Sequence, residues 1–235
     1  MKTQLQKSDE RGHAQHGWLD TYHSFSFANF YDPKKIRFGL LRVLNDDYID
    51  AGQGFGMHPH DNMEIVTIPL SGALQHRDSM GNSSIIKKGD VQIMSAGTGI
   101  KHSEFNPSNT EAVTLLQIWV FPKVENIKPR YDQKTFLPET RKNIFQAVVA
   151  PDNSEALLIN QDAWFSLGNF DLGKSATYKV NKKDNGLYLF VISGTVEVGG
   201  QLLNKRDALE ITETDSLEIK SNSESEILII EVPMD

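Results

Sequence analysis

His58 and His60 flank a single proline in GFGMHPHDNMEIV, and His102 and Glu104 repeat the same alternate spacing in GIKHSEF. In an extended chain, residues i and i+2 project to one side, and Pro59 discourages a helical alternative. Each pair therefore aims two ligand-type side chains at one place. Two short strands carrying such pairs, facing one another across a small β domain, would gather three imidazoles and a carboxylate around a point. That donor set has the count and chemistry of a metal site, suited to iron, manganese, nickel, cobalt, copper or zinc and ill suited to calcium, which takes oxygens. Four protein ligands on an octahedral ion leave neighbouring positions free for a bidentate oxygen substrate or for dioxygen, as catalytic sites require.

Glu64 competes with Glu104 for the carboxylate position, because strand parity gives it the same face as His58 and His60. It also opens a long apolar strand, where an ion pair or hydrogen bond accounts for it equally well. All seven histidines lie at or before His102. Packing alone would not concentrate them so.

The elements that must position these residues are strands. Strand-sized runs such as EIVTIPL, AVTLLQIWVF, LYLFVI and EILIIEV recur between turn signals such as DSMGNSS, KKGD, SAGTG and KKDNG, with no sustained helical period. The chain reads as all-β. The segment PKVENIKPRYDQKTFLPETRKN, rich in proline and charge, is the expected connection between two blocks. Across it, EIVTIPLSGALQHRDSMGNSSIIKKGDVQIM is echoed by LYLFVISGTVEVGGQLLNKRDALEI, which suggests two copies of one β fold. Aligning Ser193-Gly194 with Ser71-Gly72 puts Val180 and Lys182 where His58 and His60 stand, so the second copy is expected to be structural.

The chain has no cysteine, which removes thiolate nucleophiles, disulfides, iron-sulfur clusters and cysteine zinc sites. A formal charge of -7 disfavours a broad nucleic-acid footprint, so no direct nucleic-acid contact is expected. The opening MKTQLQKSDERGHAQHGWLD lacks an apolar leader, and no run approaches bilayer length. A cytoplasmic protein without a membrane partner is expected.

Gly52, five residues, HPH, three residues and Glu64 resemble the first cupin motif, with seven rather than six residues before Gly72. Gly89, five residues, Ser95-Ala-Gly97, then His102, three residues and Asn106 resemble the second, with serine for proline and two extra residues before the histidine. Those departures, with HRDSMGN and the early HGWLDTYHSFSFANFYDP, are similar to pirin, a bicupin family. The resemblance implies two tandem jelly-roll-type β-barrels: a metal-binding cupin domain over 1–122, a linker over 123–143, and a cupin-like domain without ligands over 144–235.

Resemblance to pirin also assigns the carboxylate ligand to the HSE glutamate, Glu104, alongside His58, His60 and His102. It implies one divalent transition metal, iron being the expected ion, and quercetinase-like cleavage of a flavonol ring by dioxygen with release of carbon monoxide, Glu104 serving also as the base. The alternative it carries is a metal-bound regulatory protein acting through protein partners without turnover. Among the remaining residues, His76 is expected in a loop, Phe25 and Phe27 on one strand face in the core, Gly97 and Gly99 in a tight turn, and Gln117 behind a histidine. His13, His16 and His23 lie near these aromatics, and His23 is a candidate to support the site from behind.

Overall fold

The computed structural model describes residues 1–235. The element order is strand after strand, interrupted by two single-turn helices, Ser8–Glu10 and Pro138–Arg141. No helix is long and apolar enough to cross a membrane. The all-β reading holds, and each half is a jelly-roll sandwich of a seven-stranded and a four-stranded sheet instead of a closed barrel.

In the amino-terminal half the large sheet runs Arg130–Thr135, Asp90–Ser95, Glu64–Ser71, Val113–Val120, Leu41–Ile49, Leu19–His23, Gly12–Gln15. Opposite it lies the small sheet, in the order Gly54–His60, Ile100–Phe105, Ala73–Asp78, Ser83–Lys87. The other half repeats the plan. Its large sheet contains Gly186–Ser193, Ser225–Val232 and Trp164–Phe170, and its small sheet contains Ser175–Lys179 and Ser216–Ser221.

Two strands cross the domain division read from the sequence. Lys2–Gln6 pairs antiparallel with Ala208–Thr212 in the carboxy-terminal large sheet. Arg130–Thr135, inside the expected linker, pairs with Asp90–Ser95 as an edge of the amino-terminal one.

Alternation along the central strands explains the layering. In Glu64–Ser71 both faces are buried, because one faces the small sheet and the other faces the second half. Val66 and Ile68 point to the second half, where they join Ile118, Val120, Phe165, Leu228 and Ile230 in a core of 26 buried residues. Ile65 belongs to a separate small cluster with Met94 and Ile100, on the side of the small sheet. The interior of the carboxy-terminal sandwich is filled by 14 buried residues, among them Leu189, Ile219 and Ile229. The amino-terminal interior is polar instead.

Candidate metal centre

Gly54–His60 is the edge strand of the small sheet and Ile100–Phe105 is its neighbour. Their register sets His102 opposite His58 and Ile100 opposite His60, with a bulge between His102 and Glu104. The strands approach closely at Gly54, where a Cβ would fall 2.2 Å from the carbonyl oxygen of Glu104. Ile100, His102 and Glu104 alternate inward. The two-residue spacing thus delivers the side chains as read.

Three imidazoles meet here. Ring centroids lie 4.4 Å apart for His58 and His102, 4.8 Å for His60 and His102, and 4.9 Å for His58 and His60. Nδ1–H of His58 donates to the carbonyl of Gly56 at 2.8 Å, which leaves its Nε2 free to ligate. Nε2 of His60 and Nε2 of His102 are 3.0 Å apart. Two nitrogens bound about 2.0–2.1 Å from one ion at right angles would sit about 3 Å apart, so the spacing fits a shared transition metal. Burial, reinforced by the neighbouring imidazoles, depresses His60 to about 4 and His102 to about 2, and keeps both neutral as ligands must be.

Glu104 is buried and takes part in a second cluster. Its carboxylate, His102 and His76 offer ligand atoms within 4.8 Å of one another, as do His58, His60 and His102 in the first cluster. His102 is common to both. Burial pushes the Glu104 carboxyl up to about 7, opposed by its hydrogen bonds and assisted by the nearby Asp47, itself raised by burial to about 7. The side-chain amide of Gln117 donates to both Glu104 oxygens, at 3.2 and 3.0 Å, and Thr67 donates to Gln117 at 3.1 Å. Gln117 therefore serves the carboxylate, not a histidine. A carboxyl so enclosed, with Asp47 nearby and no ammonium or guanidinium bonded to it, gains most from a cation.

Glu64 belongs elsewhere. The chain leaves the small sheet after His60, turns through Asn62 with φ 42°, and enters the large sheet at Glu64, so parity counted through the turn has no meaning. Glu64 faces the second half, accepting from the hydroxyl of Ser95 at 2.8 Å and the backbone of Asn160 at 3.0 Å.

His76 is not a loop residue. It sits in the strand Ala73–Asp78, fully buried and opposite Glu104 in register. HRD repeats the alternate spacing of HPH and HSE, the signal that could have singled it out together with Asp78. Tyr131, from the expected linker, stacks on its ring at 4.6 Å. Phe25 and Phe27 do not share a face: Phe25 packs against Tyr188 in the core between the halves, whereas Phe27 stands edge-on to Trp119. Trp119 in turn meets His60 edge-on at 5.0 Å. Nδ1–H of His23 donates to Oδ1 of Asn45 at 2.8 Å and the ring packs on Phe27; it is in neither cluster. Nor are His13, paired with Asp20, and His16. Gly97 is a turn residue, with φ 49° and a hypothetical Cβ 2.0 Å from the carbonyl of Ile127.

Known proteins resemble this chain over nearly its whole length. The family model described as Pirin matches residues 4–120, and the one described as Quercetinase C-terminal cupin domain matches residues 147–232. A protein of Escherichia coli (strain K12) named quercetin 2,3-dioxygenase is 44% identical over 230 residues, covering 97% of this chain and 98% of that protein. The pirin-like protein of Caulobacter vibrioides is 39% identical, over 95% of this chain and 96% of its own. The crystal structure of bacterial pirin YhhW from Escherichia coli in complex with nickel(II) superposes with a TM-score of 0.94 at 42% identity, covering 99% of each chain.

Proposed function

The chain belongs to the pirin family, and on that premise we propose that it is a metal-dependent dioxygenase that opens the ring of a flavonol-like substrate with dioxygen and releases carbon monoxide. The observation that carries the reading is the meeting of three imidazoles beside one buried, otherwise uncompensated carboxylate. His58, His60 and His102 would hold the ion through Nε2, and Glu104 would complete the set. Iron is the expected ion, and the nickel(II) bound by the Escherichia coli pirin makes nickel an equal candidate for trial. Bound there, the ion supplies Lewis acidity toward the adjacent hydroxyl and carbonyl oxygens of a flavonol.

The chain's own residues supply the rest. Glu104, beside the His102 ring, is placed to accept the hydroxyl proton. Gln117 keeps that carboxylate oriented by donating to both oxygens. Trp119, half-buried next to His60, and Phe27, edge-on to Trp119, form an aromatic wall against which a planar ring system can be aligned. The edge position of Gly54–His60 leaves His58 and His60 partly exposed, so substrate has a side from which to approach.

The test is to load the purified protein with iron(II) or nickel(II), add quercetin in oxygenated buffer, and follow flavonol absorbance together with carbon monoxide. Turnover abolished by His58→Ala and by Glu104→Ala supports the reading. Metal bound without turnover rejects the flavonol assignment and leaves the regulatory alternative.

A further inference from the structure

We propose that Asp78 and His76 form a buried relay that sets the tautomer and ring orientation of His102, so that its Nε2 is committed to the ion. The inference rests on His102 being a ligand. Nε2 of His102 faces Nε2 of His60, while Nδ1 of His102 lies 3.5 Å from Nδ1 of His76, and Nε2 of His76 lies 3.2 Å from Oδ2 of Asp78.

Only one proton arrangement satisfies every atom of this chain. A His102 that ligates through Nε2 carries its proton on Nδ1 and donates it to Nδ1 of His76. His76 must then carry its own proton on Nε2 and donate it to Asp78. Asp78 is built to receive: Oδ1 accepts from the backbone of Met80 at 2.9 Å and of Asn82 at 3.0 Å, and Oδ2 accepts from the side chain of Asn82 at 2.8 Å. Burial pushes the Asp78 carboxyl up, but these bonds and that from His76 outweigh it and hold the group below the usual carboxylate range.

The relay is shut off from water, since both its side chains are 0% exposed. Tyr131 stacks on His76 at an interplanar angle of 29° and is itself anchored to the side chains of Ser84 and Gln133, which fixes the plane of the middle ring. Glu104, opposite His76 in register, is the rival acceptor, but its carboxylate bonds Gln117 and Thr67 and neither histidine ring. Outer partners of this kind orient a ligand and raise its basicity, and losing one costs about 10–100-fold in metal affinity. His76 and Asp78 are thus positioning residues that touch neither ion nor substrate.

The experiment uses the full chain loaded with zinc(II), a diamagnetic probe, and reads histidine tautomers by long-range proton–nitrogen correlation. Expected are a proton on Nδ1 and a metal-shifted Nε2 at His102, and a proton on Nε2 with an unshifted Nδ1 at His76. In chelator competition His76→Ala should bind zinc about 10–100-fold more weakly, and His76→Gln, whose amide offers an acceptor and a donor, should recover most of the loss. A proton on Nδ1 of His76, a metal-shifted His76 nitrogen, or equal zinc affinity in parent and His76→Ala would overturn the relay while leaving the metal centre standing. Failure of the parent to bind zinc would overturn the metal reading and the relay with it. The tautomer readout needs no variant, so misfolding of His76→Ala cannot blunt the test.

Discussion

Nε2 of His60 and Nε2 of the buried His102 stand 3.0 Å apart, closer than two unlinked rings would be held without a reason. In the metal-free protein one must donate its proton to the other; with an ion between them both lone pairs point at it. His60→Ala should therefore lower affinity for iron(II) or nickel(II) by more than the about 100-fold typical of an outer partner. Isothermal titration would measure the loss. Circular dichroism and the metal-free Tm should change little, because the cores between and within the halves do not include His60.

Metal should stabilise the fold by mass action. An ion present at one hundred times its Kd adds about 2.7 kcal/mol. For a chain of this length that corresponds to a rise in Tm of about 5–10 °C. Scanning calorimetry with and without nickel(II), reversed by a chelator, checks it. No shift at saturating metal would mean that the ion binds the unfolded chain as well as the native one.

The alternate pairs HPH and HSE were legible because a period of two survives any detail of packing: once the segments are strands, their faces follow. So was the doubled architecture, through its turn signals. The carboxylate choice was not legible from parity, because the chain changes sheets at Asn62 between His60 and Glu64. His76 reads as a loop residue because what makes it part of the centre is remote in sequence: Tyr131 stacked on one side and His102 on the other. The exchange of Lys2–Gln6 into the far sheet is likewise an edge pairing between segments some two hundred residues apart, and no local pattern announces it.

Glu104 makes the metal-free protein pH-sensitive in a definite direction. Burial raises its carboxyl from 4.5 to about 7, so the protonated form is favoured on folding. The stability this group contributes is full below its unfolded pKa and is lost as pH rises through about 7, a loss of about 3 kcal/mol at about 1.4 kcal/mol per pH unit. Glu104→Gln removes the dependence. In chelator the variant should therefore gain on its parent by about 2–3 kcal/mol between pH 5 and pH 8, measured by urea unfolding at each pH. His60 and His102, depressed by burial, act in the opposite sense but are common to both proteins and largely cancel in the difference. A gap that does not widen with pH would refute the assignment of Glu104 as a raised, buried acid.

Trp119 reports on the ion through His60. Its ring meets His60 edge-on at 5.0 Å, whereas Trp18 packs on Phe55 and Trp164 lies in the other half. Nickel(II) or iron(II) should quench part of the tryptophan emission, and the quench should vanish in Trp119→Phe while metal stoichiometry is kept. Quenching that persists in the variant would relocate the ion.

The two halves should not fold apart. The largest core lies between them: Val66, Ile68, Ile118 and Val120 face away from the metal centre onto Phe165, Leu228 and Ile230. Burying such a side chain contributes about 1.5–3 kcal/mol, so uncovering even these four from one half removes on the order of 10 kcal/mol, comparable to the whole stability of a domain. The strand exchange compounds the loss. Residues 1–122 expressed alone would carry Lys2–Gln6 with no strand to pair and would lack Arg130–Thr135, while residues 144–235 would leave the edge of Ala208–Thr212 open. Each fragment should aggregate or give the broad, poorly dispersed amide spectrum of an unpacked sheet. A monomeric 1–122 fragment with a dispersed spectrum and parent-like nickel affinity would show that the polar interior around His102 stands without the shared core.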